Sequence, residues 1–154
     1  MSVVAYRDGI LAADRQCSDA GDMKVGLRTK IFRAHGNLHG CVGNAGVSEA
    51  YRAAIENATE MPTPTDDKDW GCLRIQANGT VYRVGGNFFA VEVEASYHAI
   101  GVGDMVAMGA FYMGATAEGA VKAACEFIYG CGGGIDVLKL NETTPVEPHV
   151  SSTI

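Results

Sequence analysis

The chain opens with Met1-Ser-Val-Val-Ala-Tyr-Arg-Asp-Gly-Ile-Leu-Ala-Ala-Asp-Arg15. Residues 2–6 and 10–13 are short apolar runs, and Asp8-Gly9 between them predicts a tight β-hairpin. Side chains alternate between the two faces of a strand. Because Ser2 and Asp14 both have even numbers, we predict that the hairpin places this hydroxyl and this carboxylate on one face. Removal of Met1 would leave Ser2 with a free α-amine, whose pKa is about 8 and which can act as the base for its own hydroxyl.

The composition predicts one domain with a substantial core. The chain has 154 residues, of which 47% are hydrophobic and 19% are charged, which is enough to bury a core. We assign this domain to residues 1–140. A tail is expected over 141–154, where there are two prolines and no apolar rhythm. The net charge of −6 and the scattered basic residues argue against a nucleic-acid partner.

The sequence carries no membrane signal. No apolar run approaches the roughly 20 residues of a membrane span. Arg7 and Asp8 lie near the start of the chain, so we expect no secretory signal. A cytoplasmic location without a membrane partner is therefore expected.

Further strands are predicted from turn residues and alternation. Two more hairpins are expected, with turns at Gly36-Asn37 and at Asn78-Gly79. Short strands are expected over 98–102 and 135–140. The polar stretch 15–28 predicts a loop.

Three helices are predicted from apolar spacing. They cover residues 48–57, 104–113 and 117–128, with Ser48 and Thr116 as N-caps. Pro62 and Pro64 exclude a helix over 60–69. Periodicity by itself therefore supports a mixture of α and β structure and no finer class.

The opening stretch resembles the N-terminal-nucleophile hydrolases of the proteasome β-subunit and HslV type. Those proteins begin with a Thr-Thr-apolar strand, turn, and return through an Ala-Asp or Gly-Asp pair. The compact proteasome-like proteins of bacterial and phage sequences are the most similar, since they open Met-Thr-Thr-Ile-Ala-Tyr-Arg-Asp-Gly. Aligned without a gap, Ser2 takes the position of their nucleophile. The resemblance implies an α+β fold, a pared-down four-layer αββα sandwich, over residues 1–140.

The resemblance also implies roles for three other residues. Asp14 closes the first hairpin, where the family has an acid that orients a lysine, and Lys30 in Thr-Lys-Ile-Phe matches that lysine. A lysine that faces inward is costly unless a carboxylate pairs with it, and an Asp14–Lys30 pair answers this cost. Gly43 matches the family glycine whose N–H binds the oxyanion. A structural salt bridge and an ordinary strand-end glycine are the alternatives.

Two regions depart from the family pattern. Val102 lies where the family usually has a serine that supports the terminal amine. Near the end of the last helix the family has an aspartate followed by a Ser/Thr-Gly pair. Our alignment places Ile128, Cys131 and Gly132 at those positions, and a slip of one or two residues offers Glu126 as the acid instead. These departures put turnover in question more than the fold.

The cysteines and histidines predict no metal site, and no cofactor is expected. The five cysteines are widely spaced, at Cys17, Cys41, Cys72, Cys125 and Cys131. They form no metal-ligand pattern, so we predict free buried thiols. His35 and His39 flank a predicted turn with no third ligand nearby, and we predict that both are surface residues.

Three functions fit the sequence. The first is a proteasome-like peptidase that cleaves peptide bonds with Ser2 after Met1 is removed. The second is a catalytically silent structural or assembly subunit of the same fold, for example in a phage particle, which a retained Met1 would favour. The third is an N-terminal-nucleophile amidase that acts on a small amide.

Assembly is expected from the resemblance as well. Proteasome-like domains work in closed homo-oligomeric rings, and the same is implied here. The stripe Met105, Met108 and Tyr112 has helical spacing, which predicts core or a subunit interface. Whether an ATPase unfoldase is a partner is left open by the sequence.

Overall fold

A computed structural model of the chain describes residues 2–18 and 23–142. Within these residues the protein is a mixed α and β fold with three sheets and three helices. The strands are β1 (Val3–Arg7), β2 (Ile10–Asp14), β3 (Gln16–Ser18), β4 (Lys24–Leu27), β5 (Ile31–Ala34), β6 (Asn37–Val42), β7 (Gly71–Ile75), β8 (Val81–Val84), β9 (Ala90–Glu92), β10 (Tyr97–Gly101) and β11 (Ile135–Lys139). The helices are α1 (Ala45–Asn57), α2 (Asp104–Tyr112) and α3 (Ala117–Phe127). In the described ranges no helix has the length and hydropathy needed to span a membrane. Most of the predicted tail, from residue 143 onward, lies outside the described residues.

Two large sheets contain most of the strands. The first sheet has the strand order β10-β1-β2-β11, and the second has the order β5-β6-β7-β8-β9. Strands β3 and β4 form a separate antiparallel ribbon. The opening hairpin occupies the centre of the first sheet, which explains why Val3, Val4 and Ala5 are fully buried.

The first hairpin forms as predicted. Asp8 and Gly9 both have positive φ angles, of 52° and 79°, as a two-residue type I′ turn requires. The hairpin with Asn78-Gly79 is also confirmed, since Ile75 pairs with Val81 across it. The turn between β5 and β6 lies one residue earlier than predicted. Its two residues are His35 and Gly36, with φ angles of 51° and 79°, and Asn37 already pairs with Ala34.

Two local predictions are wrong, and one strand was missed. The stretch 15–28 is not a plain loop, because β3 pairs with β4 there. Strand β9 was not predicted, since its three residues are all exposed and show no alternation. Helix α1 begins earlier than predicted, because the Asn44 side chain accepts the Val47 N–H as the N-cap. Ser48 is instead buried within α1, where its hydroxyl accepts a hydrogen bond from the Trp70 indole at 3.0 Å.

The remaining helices agree with the prediction. Helices α2 and α3 occupy the expected stretches, and the Thr116 hydroxyl accepts the Gly119 N–H at 3.1 Å as the N-cap of α3. Among residues 59–70, which the structure describes throughout, there is neither helix nor strand, in agreement with the two prolines.

Three apolar clusters hold these elements together. The first joins the first sheet to α2 and α3 and includes Val3, Ala12 and Phe111. The second joins the inner faces of the two large sheets and includes Val4, Leu11 and Leu73. The third joins the second sheet to α1. Its buried members are Phe32, Ala34, Cys41, Tyr51, Trp70, Cys72 and Val84. Side chains alternate along β5, since Phe32 and Ala34 pack towards α1 while Ile31 packs between the sheets.

Candidate active site

Ser2 lies at the start of β1 in a tightly enclosed position. The residue is only 5% exposed, and its carbonyl accepts a hydrogen bond from the Gly103 N–H at 3.3 Å. The end of β10 runs directly against it, because a Cβ placed on Gly101 would lie 2.2 Å from the Ser2 carbonyl oxygen. Gly101 also has a φ angle of +100°, a conformation that only glycine adopts at low cost. The chain turn after β10 therefore needs glycine in order to reach Ser2.

Asp14 ends β2 and is held by three donors. Its side chain is fully buried. Oδ1 accepts the Val3 N–H at 3.0 Å and the Lys30 ammonium at 2.7 Å. Oδ2 accepts the Gly132 N–H at 3.1 Å. Because charged donors shorten and strengthen such bonds, the carboxylate is fixed in one orientation.

The predicted shared face of Ser2 and Asp14 is wrong. In this hairpin Val4 pairs with Ala13, and continuation of that register places Val3 opposite Asp14. Cross-strand partners share a face, so Asp14 shares its face with Val3, and Ser2 points to the other. Across a two-residue turn, an even-numbered residue pairs with an odd-numbered one, so even-numbered residues of the two strands lie on opposite faces of the hairpin. The prediction from the even numbers of Ser2 and Asp14 overlooked this. The carboxylate instead reaches the first strand through the Val3 backbone N–H.

Lys30 lies immediately before β5 and points into the same region. It is 6% exposed, and its Nζ donates to Asp14 Oδ1 and to the Gln16 carbonyl, each at 2.7 Å. Burial lowers the pKa of the Lys30 ammonium below its usual value, although the charge and hydrogen bond of Asp14 oppose this shift. The pair is therefore a buried ion pair in which both partners are hydrogen-bonded, the arrangement that burial of charge requires.

Gly43 follows β6 with a φ angle of +96°. A Cβ at this position would lie 2.7 Å from the Trp70 Cα. The positive φ angle and the backbone at Trp70 thus both disfavour any residue other than glycine at position 43. The glycine is exposed, so a substrate can approach its backbone.

A cleft of about 760 Å³ brings these residues together. Ser2, Lys30, Gly43, Gly101 and Val102 all line it. The lining also includes charged side chains of both signs, namely Arg28, Lys68, Arg83, Asp67, Asp69 and Asp104. Asp14 does not line the cleft and acts on it through Lys30 and the Val3 backbone.

Some of the positions that were predicted to support the amine of Ser2 lie at the candidate site, and others do not. Gly132 is at the site: besides its N–H bond to Asp14, its carbonyl accepts the Arg15 and Gln16 N–H groups at 3.0 and 2.9 Å. Cys131 is buried next to it, and burial raises the pKa of its thiol to about 12. Val102 is 44% exposed on the cleft. Ile128 ends α3 in a half-buried position, and Glu126 is exposed on α3.

Sequence reasoning missed a second buried ion pair next to Asp14. Arg15 Nε lies 3.2 Å from Asp136 Oδ2, and both side chains are almost fully buried. Asp136 lies on β11, whose pairing with β2 places it opposite Ala13. The available signal was a single carboxylate inside the apolar run 135–140. Its partner could not be inferred, since the pairing of β11 with β2 is not local.

His39 was predicted to be at the surface and is instead buried. It stacks on Phe32 with ring centroids 4.9 Å apart, and its Nδ1 lies 3.1 Å from the Tyr51 hydroxyl. His35, in contrast, is exposed at the turn. All five cysteines are free; Cys41, Cys72 and Cys131 are buried, and Cys17 and Cys125 are half-buried.

Known structures share this architecture, although no protein-family model and no curated protein sequence matches the chain. The structure of BPH from Thiobacillus denitrificans aligns with a TM-score of 0.65 and 19% identity, over 90% of this chain and 97% of that chain. BPH in complex with epoxomicin aligns with a TM-score of 0.63 and 18% identity, over 92% and 99%. HslV from Trypanosoma brucei aligns with a TM-score of 0.64 and 17% identity, over 89% and 97%. At these identities the similarity shows the fold alone: the chain has the proteasome/HslV-like fold of these structures.

Proposed function

We propose that the protein is a peptidase that uses Ser2 as its nucleophile once Met1 has been removed. The observation that carries the proposal is the buried Asp14–Lys30 pair, with Nζ 2.7 Å from Oδ1, beside a cleft that Ser2, Lys30 and Gly43 all line. Burying such a pair is rarely the most stable solution for a core. The position of this pair at a cleft that Ser2 also lines favours a catalytic role.

Hydrolysis would proceed through an acyl-enzyme. The Ser2 Oγ attacks the carbonyl carbon of a peptide while the α-amine of Ser2 takes the hydroxyl proton. The Lys30 ammonium stabilises the negative charge that develops, and the Gly43 N–H donates to the oxyanion. The amine then protonates the leaving nitrogen, and a water molecule, deprotonated by the same amine, releases the acyl group.

Asp14 and Gly132 are positioning residues in this scheme. Asp14 binds Lys30 and the Val3 N–H with one oxygen, and Gly132 holds the other. The carboxylate thus ties the nucleophile's strand to the lysine. Glu126 and Cys131 are weaker candidates for support of the amine, because Glu126 is exposed and the pKa of the Cys131 thiol is raised to about 12 by burial.

A four-layer αββα arrangement over residues 1–140 fits the three apolar clusters, each of which joins neighbouring layers. We propose this layering as the finer description of the fold, with a single domain and a tail from residue 141. We also propose a homo-oligomeric ring with peptide substrates, in line with the fold shared with HslV.

A catalytically silent subunit is the second candidate function. The observation that favours it is the absence of a hydroxyl at Val102 and of a carboxylate at Ile128 in this sequence, where the resembled family supports the amine. A retained Met1 would place the amine of Ser2 in a peptide bond and leave the hydroxyl without its base.

Intact-mass measurement and one substitution test the peptidase. We expect the purified protein to lack Met1, to hydrolyse peptide amides, and to lose this activity in Ser2→Ala while its unfolding midpoint is unchanged. BPH binds epoxomicin in its solved complex, so epoxomicin is a suitable probe, and Ser2→Ala should abolish its binding here.

Ser18→Ala is the matched control, because Ser18 lines the same cleft and has no role in the scheme. It should retain the activity. Equal turnover in Ser2→Ala and the parent would overturn the peptidase, and an inactive protein with Met1 removed would favour the silent subunit.

A further inference from the structure

Two cysteines lie directly opposite each other in the second sheet. Cys41 on β6 and Cys72 on β7 are cross-strand partners. Partners in an antiparallel pair have Cα atoms about 4.5–5.5 Å apart, within the roughly 4.4–6.8 Å that a disulfide spans. Both side chains lie on the face that packs against α1. The backbone therefore already places the two sulfur atoms for a bond.

Only one of the two cysteines reaches the cleft. Cys41 is 4% exposed and lines the cleft, whereas Cys72 is fully buried behind it. A small oxidant in the cleft meets Cys41 first. Cys72 is then the only cysteine directly across the strand pair from it.

Polar groups around the pair favour ionisation of the inner sulfur. Burial by itself raises the pKa of the Cys72 thiol, but hydrogen bonds with Cys41 and His39 outweigh it and lower this pKa to about 6. The hydrogen bond with Cys72, followed by burial, raises the pKa of the Cys41 thiol. His39 is itself held by the Tyr51 hydroxyl at 3.1 Å from Nδ1. Cys72 is therefore the more acidic thiol of the pair.

We propose that Cys41 and Cys72 form a redox site in which a hydroperoxide entering the cleft converts the two thiols into a disulfide. This redox role is separate from peptide hydrolysis, because its product is a disulfide bond within the second sheet. The prediction that these cysteines are free buried thiols then applies only to the reduced protein.

The reaction balances in two steps. The Cys41 sulfur attacks the terminal oxygen of the hydroperoxide. The O–O bond breaks, Cys41 becomes a sulfenic acid, and the alkoxide leaves as an alcohol with the proton of the Cys41 thiol. The Cys72 sulfur then attacks the Cys41 sulfur. The S–O bond breaks, and the hydroxide leaves as water with the proton of the Cys72 thiol. In sum, two thiols and one hydroperoxide give one disulfide, one alcohol and one water.

Mass spectrometry on the whole protein tests the proposal. The reduced protein is treated with tert-butyl hydroperoxide, quenched with N-ethylmaleimide and digested without reductant. We expect a peptide that links Cys41 to Cys72 to rise at least several-fold above the untreated sample and to disappear after dithiothreitol. If this peptide is absent, or Cys41 ends as a sulfinic acid with Cys72 still reduced, the proposal is wrong.

The other cysteines supply the controls. Cys125 and Cys131 interact electrostatically, so they are the competing pair. A Cys17→Ser, Cys125→Ser, Cys131→Ser variant should still form the Cys41–Cys72 link. Cys72→Ala should give no such link and instead trap Cys41 as a sulfenic acid that reacts with dimedone. Linkage found only between Cys125 and Cys131 in the parent protein would overturn the proposal even if a variant fails to fold.

Discussion

At the scale of single residues, Asp14 joins three parts of the candidate site through its side chain. It receives the Val3 and Gly132 N–H groups and the Lys30 ammonium. Loss of its charge would leave the ammonium in a region where Lys30 is 6% exposed. An unpaired buried cation is costly, because neither water nor a counter-ion offsets its desolvation. Stability and chemistry at this site therefore depend on one carboxylate.

Asp14→Asn tests this dependence. An amide cannot neutralise Lys30, and breaking a buried pair costs roughly 3–5 kcal/mol. We expect the free energy of unfolding to fall by about that amount in urea titrations, and peptide hydrolysis to fall with it because Lys30 is no longer oriented.

Asp8→Asn is the matched control for this substitution. Asp8 pairs with Arg7 at 3.6 Å, but its side chain is 82% exposed, and exposed pairs contribute about 0–1 kcal/mol. Asparagine also suits the turn, where Asp8 has a φ angle of 52°. Equal unfolding midpoints for the two variants would contradict the role that we assign to Asp14.

At the scale of elements, the two large sheets are in close contact where Gly40 of β6 packs on Val4 of β1. A Cβ on Gly40 would lie 2.5 Å from Val4 Cγ1 and 3.0 Å from Ile31 Cγ2. Val4 is fully buried in the cluster between the sheets. A side chain at position 40 would therefore push the sheets apart and displace the strand that leads to Gly43.

Gly40→Ala should thus destabilise the protein through overpacking, by about 1–3 kcal/mol. Gly109→Ala is the paired variant, because Gly109 lies inside α2 and a Cβ there meets nothing within 4 Å. Alanine is the better helix former by up to about 1 kcal/mol, so this variant should be more stable than the parent. Urea unfolding of both variants shows whether the free energy of unfolding falls in Gly40→Ala and rises in Gly109→Ala. A Gly40→Ala protein as stable as the parent would refute the packing argument.

At the scale of the whole molecule, the outer helices expose large apolar side chains. Met105 and Tyr112 are exposed on α2, and Phe127 and Tyr129 are exposed at the end of α3. Met108 is instead partly buried against the core, so the predicted stripe divides between core and surface. Exposed apolar clusters are typical of interaction surfaces.

We therefore expect self-association of the purified protein. Analytical ultracentrifugation at micromolar concentration should show a species several times heavier than the 16.2 kDa chain. Met105→Glu combined with Phe127→Glu should shift this species towards the monomer, because burying carboxylates in an interface is costly. Phe89→Glu, at an equally exposed aromatic residue before β9, is the control. A single 16.2 kDa species in the parent protein would contradict a ring.

Much of the fold could be predicted because its signals are local. Asp8-Gly9 and Asn78-Gly79 specify turns through residues that accept positive φ angles. Thr116 begins α3 through a bond to an N–H three residues away. The resemblance of the opening stretch then predicted Ser2, Asp14, Lys30 and Gly43 as site residues. In the structure Asp14 and Lys30 are in contact, and Ser2, Lys30 and Gly43 line one cleft.

The sequence by itself thus determined two of the turns and the start of α3 at its Thr116 cap, and it predicted the candidate site residues. Tertiary structure alone decided which thiols lie together and what holds the Asp14 carboxylate. The bond from Gly132 to Asp14 joins residues 118 positions apart, and Cys41 meets Cys72 only through the pairing of β6 with β7. Such contacts depend on strand register and sheet order, which arise from packing of the whole core and leave no pattern in the neighbouring residues.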